Sequence, residues 1–100
     1  MESVSMTINK WRAPAIIGKD GRTIGGIVAH TGTIISHHTD GDAVVFRVAG
    51  DNLKTNGVRV AVDIIRYLES PPDGNFIGIR QLLTRFPVMK SFEVGVLSNT

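Results

Sequence analysis

The stretch that decides the fold runs from residue 16 to residue 24 and reads Ile-Ile-Gly-Lys-Asp-Gly-Arg-Thr-Ile. Two glycines, Gly18 and Gly21, enclose two charged residues between flanks of branched apolar side chains. Glycine ends helices and adopts backbone conformations that other residues avoid, so this segment predicts a tight loop between two short helices. The first N–H groups of the second helix have no partner within that helix and suit an anion such as phosphate. Lys19 adds a positive charge at the same place.

Short helices are predicted on both sides of this loop. Before it, Ala13 to Ile17 is a brief apolar segment with Pro14 placed for a first helical turn. After it, Arg22 to Thr31 carries apolar residues at spacings of three and four and is followed by Gly32, a typical helix end.

Three further segments predict strands, and one predicts a longer helix. Residues 3–8 alternate apolar and polar side chains. Residues 33–39 and 43–49 are separated by Asp40-Gly41, a hairpin signal, so we expect them to pair antiparallel. Residues 53–69 have one apolar helical face, with a helix start as early as Asp51 or as late as Asn56. The predicted order is therefore β-α-α-β-β-α.

These segments together resemble a type I KH (K-homology) domain. The residues that carry the resemblance follow the family's order and nearly its spacings: Met6-Thr7-Ile8, Ile16 to Ile24, Thr31-Gly32-Thr33-Ile34-Ile35, Val45 to Gly50, and Val58, Ala61 and Ile65. The resemblance implies an α+β fold in which three helices pack on one face of a three-stranded antiparallel sheet. It places the KH domain at residues 1–70 and leaves residues 71–100 as a C-terminal extension.

The resemblance also implies a function, which is to bind single-stranded RNA or DNA without catalysis and without a cofactor. KH domains hold about four nucleotides and clamp their backbone with the GXXG loop. By position, the loop residues would contact phosphates, three isoleucines would line the groove, and Ser36 and His37 would lie near base edges. The RNA-binding residues predicted in this way are Ile17, Gly18, Lys19, Asp20, Gly21, Arg22, Ile24, Ile35, Ser36 and His37.

Four residues depart from the family's pattern and leave a second function open. Asp20 places a carboxylate in the loop, and like charges about 4 Å apart at a protein surface repel by up to roughly 4 kcal/mol before screening. Gly25 and Gly26 stand where family members often carry lysine, and Val28 stands where a basic residue often reaches the bases. These departures favour the alternative of a KH-fold protein-interaction or dimerisation module with weak or lost nucleic-acid binding.

The chain changes character after Ser70-Pro71-Pro72-Asp73-Gly74, which marks a helix end and a connector. We predict an amphipathic helix at about residues 75–86 and a short strand at about residues 91–97. The apolar face of this helix needs a cover, either the KH core or a second chain, as a homodimer or with another protein. The residues of the predicted partner interface are Phe76, Ile79, Leu82, Leu83 and Phe86.

Composition excludes several other classes. The 100 residues contain no cysteine, which excludes disulfide scaffolds, thiol nucleophiles and cysteine-based zinc sites. No apolar run approaches the roughly 20 residues of a membrane helix, so we expect an intracellular protein, cytoplasmic or nuclear. We expect no metal site, because the adjacent His37 and His38 point to opposite faces of a strand. No nucleophile-elbow pattern such as G-x-S-x-G is present, so we expect no enzyme.

The chain's one tryptophan, Trp11, lies between Lys10 and Arg12. A basic and aromatic grouping of this kind can stack a nucleobase. A single tryptophan directly after a first strand more often anchors the core, and we therefore expect Trp11 to be packed. Base stacking is kept as the alternative.

Overall fold

The computed structural model describes residues 2–51, 55–71 and 78–89. The elements follow the predicted order β-α-α-β-β-α, with a short additional helix after them. In chain order they are β1 Glu2–Asn9, α1 Ala13–Ile17, α2 Arg22–Thr31, β2 Ile34–Asp40, β3 Ala43–Gly50, α3 Gly57–Glu69 and α4 Ile79–Thr84, with a short 3-10 helix at Lys19–Gly21 between α1 and α2.

The three strands form one antiparallel sheet in the order β1-β3-β2. Its register aligns Met6 with Phe46 on one side and His37 with Phe46 on the other. Since side chains alternate across a strand, these residues share the face that the helices cover. β2 is an edge strand, so part of its backbone N–H and C=O groups point away from the sheet. The predicted α+β architecture is confirmed.

The core lies between the covered face of the sheet and helices α1 to α3. At its centre the side chains of Ile16, Ile27, Phe46 and Ile64 have no exposed surface. Ile16 and Ile27 come from the two helices that flank the glycine loop, so burial of both fixes where that loop lies on the surface. Within the described ranges, no helix is long and apolar enough to cross a bilayer.

Helix α3 begins at Gly57 with Asn56 as its N-cap residue, the later of the two starts that the sequence allows. A Cβ at Gly57 would collide with the carbonyl oxygen of Thr31 at the end of α2. Glycine therefore allows the start of α3 to cross closely over the end of α2. Residues 53 and 54 of the predicted helix lie outside the described part of the chain.

The described part of the C-terminal extension packs on the KH core. Leu82 of α4 has no exposed surface. The Nε2–H of His30 donates to the carbonyl oxygen of Phe86 (2.6 Å), and the Phe86 ring meets Tyr67 edge-on with centroids 6.0 Å apart. The helix ends at Thr84, two residues before its predicted end. Phe76 and the predicted strand at 91–97 lie outside the described residues.

Candidate nucleic-acid interface

The loop between α1 and α2 needs glycine at both ends. Gly18 has φ 77° and ψ 172°, a region essentially restricted to glycine. A Cβ at Gly18 would also collide with Oγ1 of Thr23. Gly21 is left-handed, with φ 74° and ψ 16°, and serves as the N-cap of α2. The two glycines therefore force the chain into a sharp bend at the surface, as the sequence predicts.

Two backbone N–H groups of this loop have no backbone acceptor among the described residues. The N–H of Gly18 donates to the carbonyl oxygen of Pro14 (2.9 Å), and that of Gly21 donates to the carbonyl oxygen of Gly18 (3.2 Å). In contrast, none of the backbone hydrogen bonds among residues 2–51, 55–71 and 78–89 uses the N–H of Lys19 or Asp20. Both residues are exposed. The loop thus offers two neighbouring donors and one lysine side chain to an anion.

Asp20 has a conformational reason to be in the loop. It is left-handed, with φ 55°, and is the one residue other than glycine with positive φ in the described chain. Aspartate and asparagine tolerate this conformation better than most residues. The carboxylate is exposed, and the ion pair found among the described residues joins Lys10 to Asp42 instead. Asp20 therefore places a negative charge beside the two donors.

Three half-buried isoleucines, predicted to line the groove, lie on the elements around the loop. Ile17 of α1, Ile24 of α2 and Ile35 of β2 are each half-buried and pack against the core with part of their surface exposed. His37 is exposed and its ring contacts Phe46, with centroids 5.5 Å apart. Ile35 and His37 lie on the same, helix-covered face of the sheet. The predicted apolar residues and His37 therefore occupy neighbouring elements on one side of the molecule.

Ser36 is placed differently from Ile35 and His37. It pairs with Arg47, and both side chains are exposed on the outer face of the sheet, away from the helices. The Ser36 side chain is therefore separated from the groove by its own strand. What this residue can offer near base edges is the backbone of edge strand β2.

The described part of the C-terminal extension lies on the flank of α2 opposite Ile24 and Val28. It meets α2 at Gly26 and His30. Ile24 lies two positions before Gly26, and Val28 lies two positions before His30. At about 100° per residue, the side chains of Ile24 and Val28 therefore point about 200° away from those contacts. The described part of the extension therefore leaves the Ile24 and Val28 flank uncovered.

Gly26, one of the departures from the family's pattern, belongs to this packing. A Cβ at Gly26 would lie 3.3 Å from Cγ1 of Ile79, whereas a Cβ at Gly25 would meet nothing within 4 Å. A lysine at position 26 would crowd the Ile79 side chain of α4. Packing against α4 thus explains why no basic residue stands at position 26. In the sequence, the only traces of this contact are Gly26 itself and the apolar residues of α4, more than 50 positions later.

Trp11 is not packed in the core, and the expectation that it anchors the fold is wrong. Its side chain is 77% exposed. The neighbouring Arg12 attaches this turn to the end of α3, because its guanidinium donates to the carbonyl oxygens of Leu68 and Glu69 (2.9 Å each). Among the described residues, no group of three or more histidine or acidic side chains is arranged to hold a metal ion.

Comparisons with known proteins agree with this architecture. A chain in the crystal structure of the a/eIF2alpha–aDim2p–rRNA complex from Pyrococcus horikoshii OT3 is similar in fold, with 23% sequence identity and a TM-score of 0.52. The similarity covers 83% of this chain and 46% of that one, so this chain spans about half the length of that relative. A search of curated proteins finds no match.

Among protein families, the KH domain matches residues 3–67, which is most of the chain. The match includes the glycine loop, all three strands and nearly the whole of α3. The sheet order, the helix order and the loop geometry described above agree with it. The chain therefore belongs to the KH-domain family and has the type I topology.

Proposed function

We propose that this domain binds single-stranded RNA without catalysis, through the loop Gly18 to Gly21 and the apolar groove beside it. The observation that carries the proposal is the pair of unused N–H groups at Lys19 and Asp20, next to the Lys19 side chain. Two adjacent donors and a cation suit the oxygens of one phosphate group. KH domains as a family use this loop to clamp a nucleic-acid backbone, which supports the assignment.

The groove supplies the second half of the proposed site. Ile17, Ile24 and Ile35 offer a flat apolar surface for bases, and their partial exposure means that burying them under a ligand is favourable. His37 and the outer edge of β2 supply hydrogen-bonding groups for base edges. Contacts to phosphate position a ligand, whereas contacts to base edges give specificity.

Two features of the similar solved structure support the proposal. The similar solved chain comes from a complex that contains rRNA. It is also about twice as long as this chain, which supports the proposal that such a domain acts as one module of a larger RNA-associated protein. A single KH groove of about four nucleotides binds modestly, and linked modules gain affinity through effective concentration.

The affinity of short single-stranded RNAs for matched variants tests the proposal. Lys19→Ala should weaken binding roughly tenfold, because a hydrogen bond to a charged group contributes about 1.5 kcal/mol. Arg47→Ala is the control, since it removes an equal charge from the outer face of the sheet and should change affinity far less. Equal losses for the two variants would mean that RNA is held by overall charge and not by the loop.

The dimerisation alternative rests on the C-terminal extension. Leu82, one of the predicted interface residues, is fully buried within the chain, and Ile79, Leu83 and Phe86 pack against the same core. A partner could use Leu82 only if α4 left α2. We therefore expect a monomer in sedimentation at micromolar concentration. A dimer that disappears when residues 78–100 are removed would favour the alternative.

A further inference from the structure

We propose that Trp11 is a stacking site for a nucleobase of single-stranded RNA that extends beyond the groove. The inference rests on the proposed RNA-binding function and adds a subsite outside the GXXG loop and its isoleucines. The Trp11 indole is 77% exposed, although it is among the largest apolar side chains of the protein. Exposed aromatic rings beside positive charge are typical of single-strand binding surfaces.

The turn that carries Trp11 is rigid. The backbone N–H of Trp11 donates to Oδ1 of Asn9 (2.8 Å), and the N–H of Arg12 donates to the carbonyl oxygen of Asn9 (2.9 Å). The N–H of Lys10 donates to the carbonyl oxygen of Asp42 (3.1 Å), which ties the turn to the β2–β3 connection. A ligand that stacks on this indole therefore spends little free energy on ordering the backbone beneath it.

A cation lies over the indole, and most of the ring remains exposed. The Nζ of Lys10 lies 5.1 Å from the ring centroid and is held there by Asp42, with Nζ and Oδ1 3.1 Å apart. Arg12 is held at the end of α3 by the carbonyl oxygens of Leu68 and Glu69. Lys10 and Arg12 carry two positive charges at this turn, against one negative charge on the 94% exposed Asp42.

Trp11 is close along the chain to the phosphate-binding loop of the proposed site. It lies two residues before α1, and α1 ends at the glycine loop. A five-residue helix is roughly 8 Å long, so the same short helix joins the indole at one end to the phosphate-binding loop at the other. An RNA of about four nucleotides fills a KH groove, whereas a longer strand has bases left to reach Trp11.

Fluorescence provides a direct test, because Trp11 is the sole tryptophan of the chain. We would titrate oligo(U), oligo(C) and oligo(A) of about four and about eight nucleotides and follow both anisotropy of labelled RNA and tryptophan emission. The longer RNAs should quench Trp11. Trp11→Ala should weaken their binding roughly 5- to 150-fold, Trp11→Phe should retain part of the affinity, and the shorter RNAs should bind Trp11→Ala as they bind the wild type.

Ile34→Ala is the matched control, because Ile34 is 67% exposed and apolar, and its side chain lies on the outer face of the sheet, opposite Ile35 and at the end of β2 far from this turn. It should leave both readouts unchanged. Two results together would contradict the stacking site: the longer RNAs leave the tryptophan emission of the wild type unchanged, and they bind Trp11→Ala and the wild type with equal affinity. The proposed binding in the groove would not be affected by that outcome. If no RNA of either length binds, the proposed function fails, and the stacking site fails with it.

Discussion

Gly26 of α2 lies directly against Ile79 of α4: a Cβ at Gly26 would stand 3.3 Å from Cγ1 of Ile79, closer than an ordinary van der Waals contact. This contact explains how the C-terminal extension packs on the KH core and why the position carries no lysine. The neighbouring glycine, Gly25, has open space around it. The pair therefore separates two effects of glycine in a helix, its low helix propensity and its small size.

Substitutions at the two glycines should have opposite effects on stability. Gly25→Ala should raise the free energy of unfolding by up to about 1 kcal/mol, because alanine favours the helix and meets no neighbour. Gly26→Lys should lower it by about 1–3 kcal/mol, because the longer side chain overpacks the contact with α4. Urea unfolding of both variants measures the difference. A stable Gly26→Lys protein would show that α4 does not depend on this contact.

Leu82 tests how much the extension contributes to the fold. It is fully buried, so Leu82→Ala should lower the free energy of unfolding by about 2–5 kcal/mol. Gln81→Ala, at an exposed position of the same helix, is the control and should change stability by less than about 0.5 kcal/mol. Thermal unfolding followed by circular dichroism makes the comparison. Similar values for the two variants would place Leu82 outside the core.

The two loop glycines should differ in their tolerance of alanine. Gly18→Ala should lower the free energy of unfolding by about 1–3 kcal/mol from backbone strain, with a further loss from the collision with Thr23. Gly21→Ala should cost less, about 1–2 kcal/mol, because its left-handed conformation is strained but its nearest neighbour would be 4.0 Å away. Chemical denaturation ranks them, and the reverse order would contradict this description of the loop.

Asp20 should limit the affinity for RNA. Asp20→Asn keeps a residue that tolerates the left-handed conformation and removes the negative charge, so we expect affinity to rise by up to about fivefold. The gain should shrink as salt concentration increases, because exposed charges are screened. Asp63→Asn, on the exposed side of α3, is the charge-matched control. An unchanged or lower affinity for Asp20→Asn would mean that the carboxylate does not face phosphate.

Local sequence patterns were enough to predict the element order, since each strand and helix has a clear period and the turns carry glycine. The loop could also be predicted from the sequence, because Gly18 and Gly21 each adopt a positive φ that few other residues tolerate. The placement of Ser36 could also have been predicted, because neighbouring residues of a strand point to opposite faces. Ser36 therefore lies on the face opposite Ile35 and His37 and could not have been grouped with their side chains.

Tertiary relationships were beyond the sequence. The sequence around Trp11 does not predict that Arg12, and not Trp11, attaches this turn to the core. Arg12 does so through carbonyl oxygens more than 50 positions away. The role of Gly26 was equally hidden, because it depends on Ile79 arriving from a separate segment. The need for glycine at position 57 depends on the carbonyl group of Thr31 in α2. In each case a contact distant in sequence outweighs the local preference.

The most direct test of the central claim is the amide chemical shifts of Lys19 and Asp20 during titration with short single-stranded RNA. We predict that both N–H resonances move strongly and saturate together, because these groups gain a phosphate acceptor that the protein does not supply. The N–H of Gly18, already bound to Pro14, should move less. Saturable RNA binding that leaves the Lys19 and Asp20 resonances in place would contradict the account.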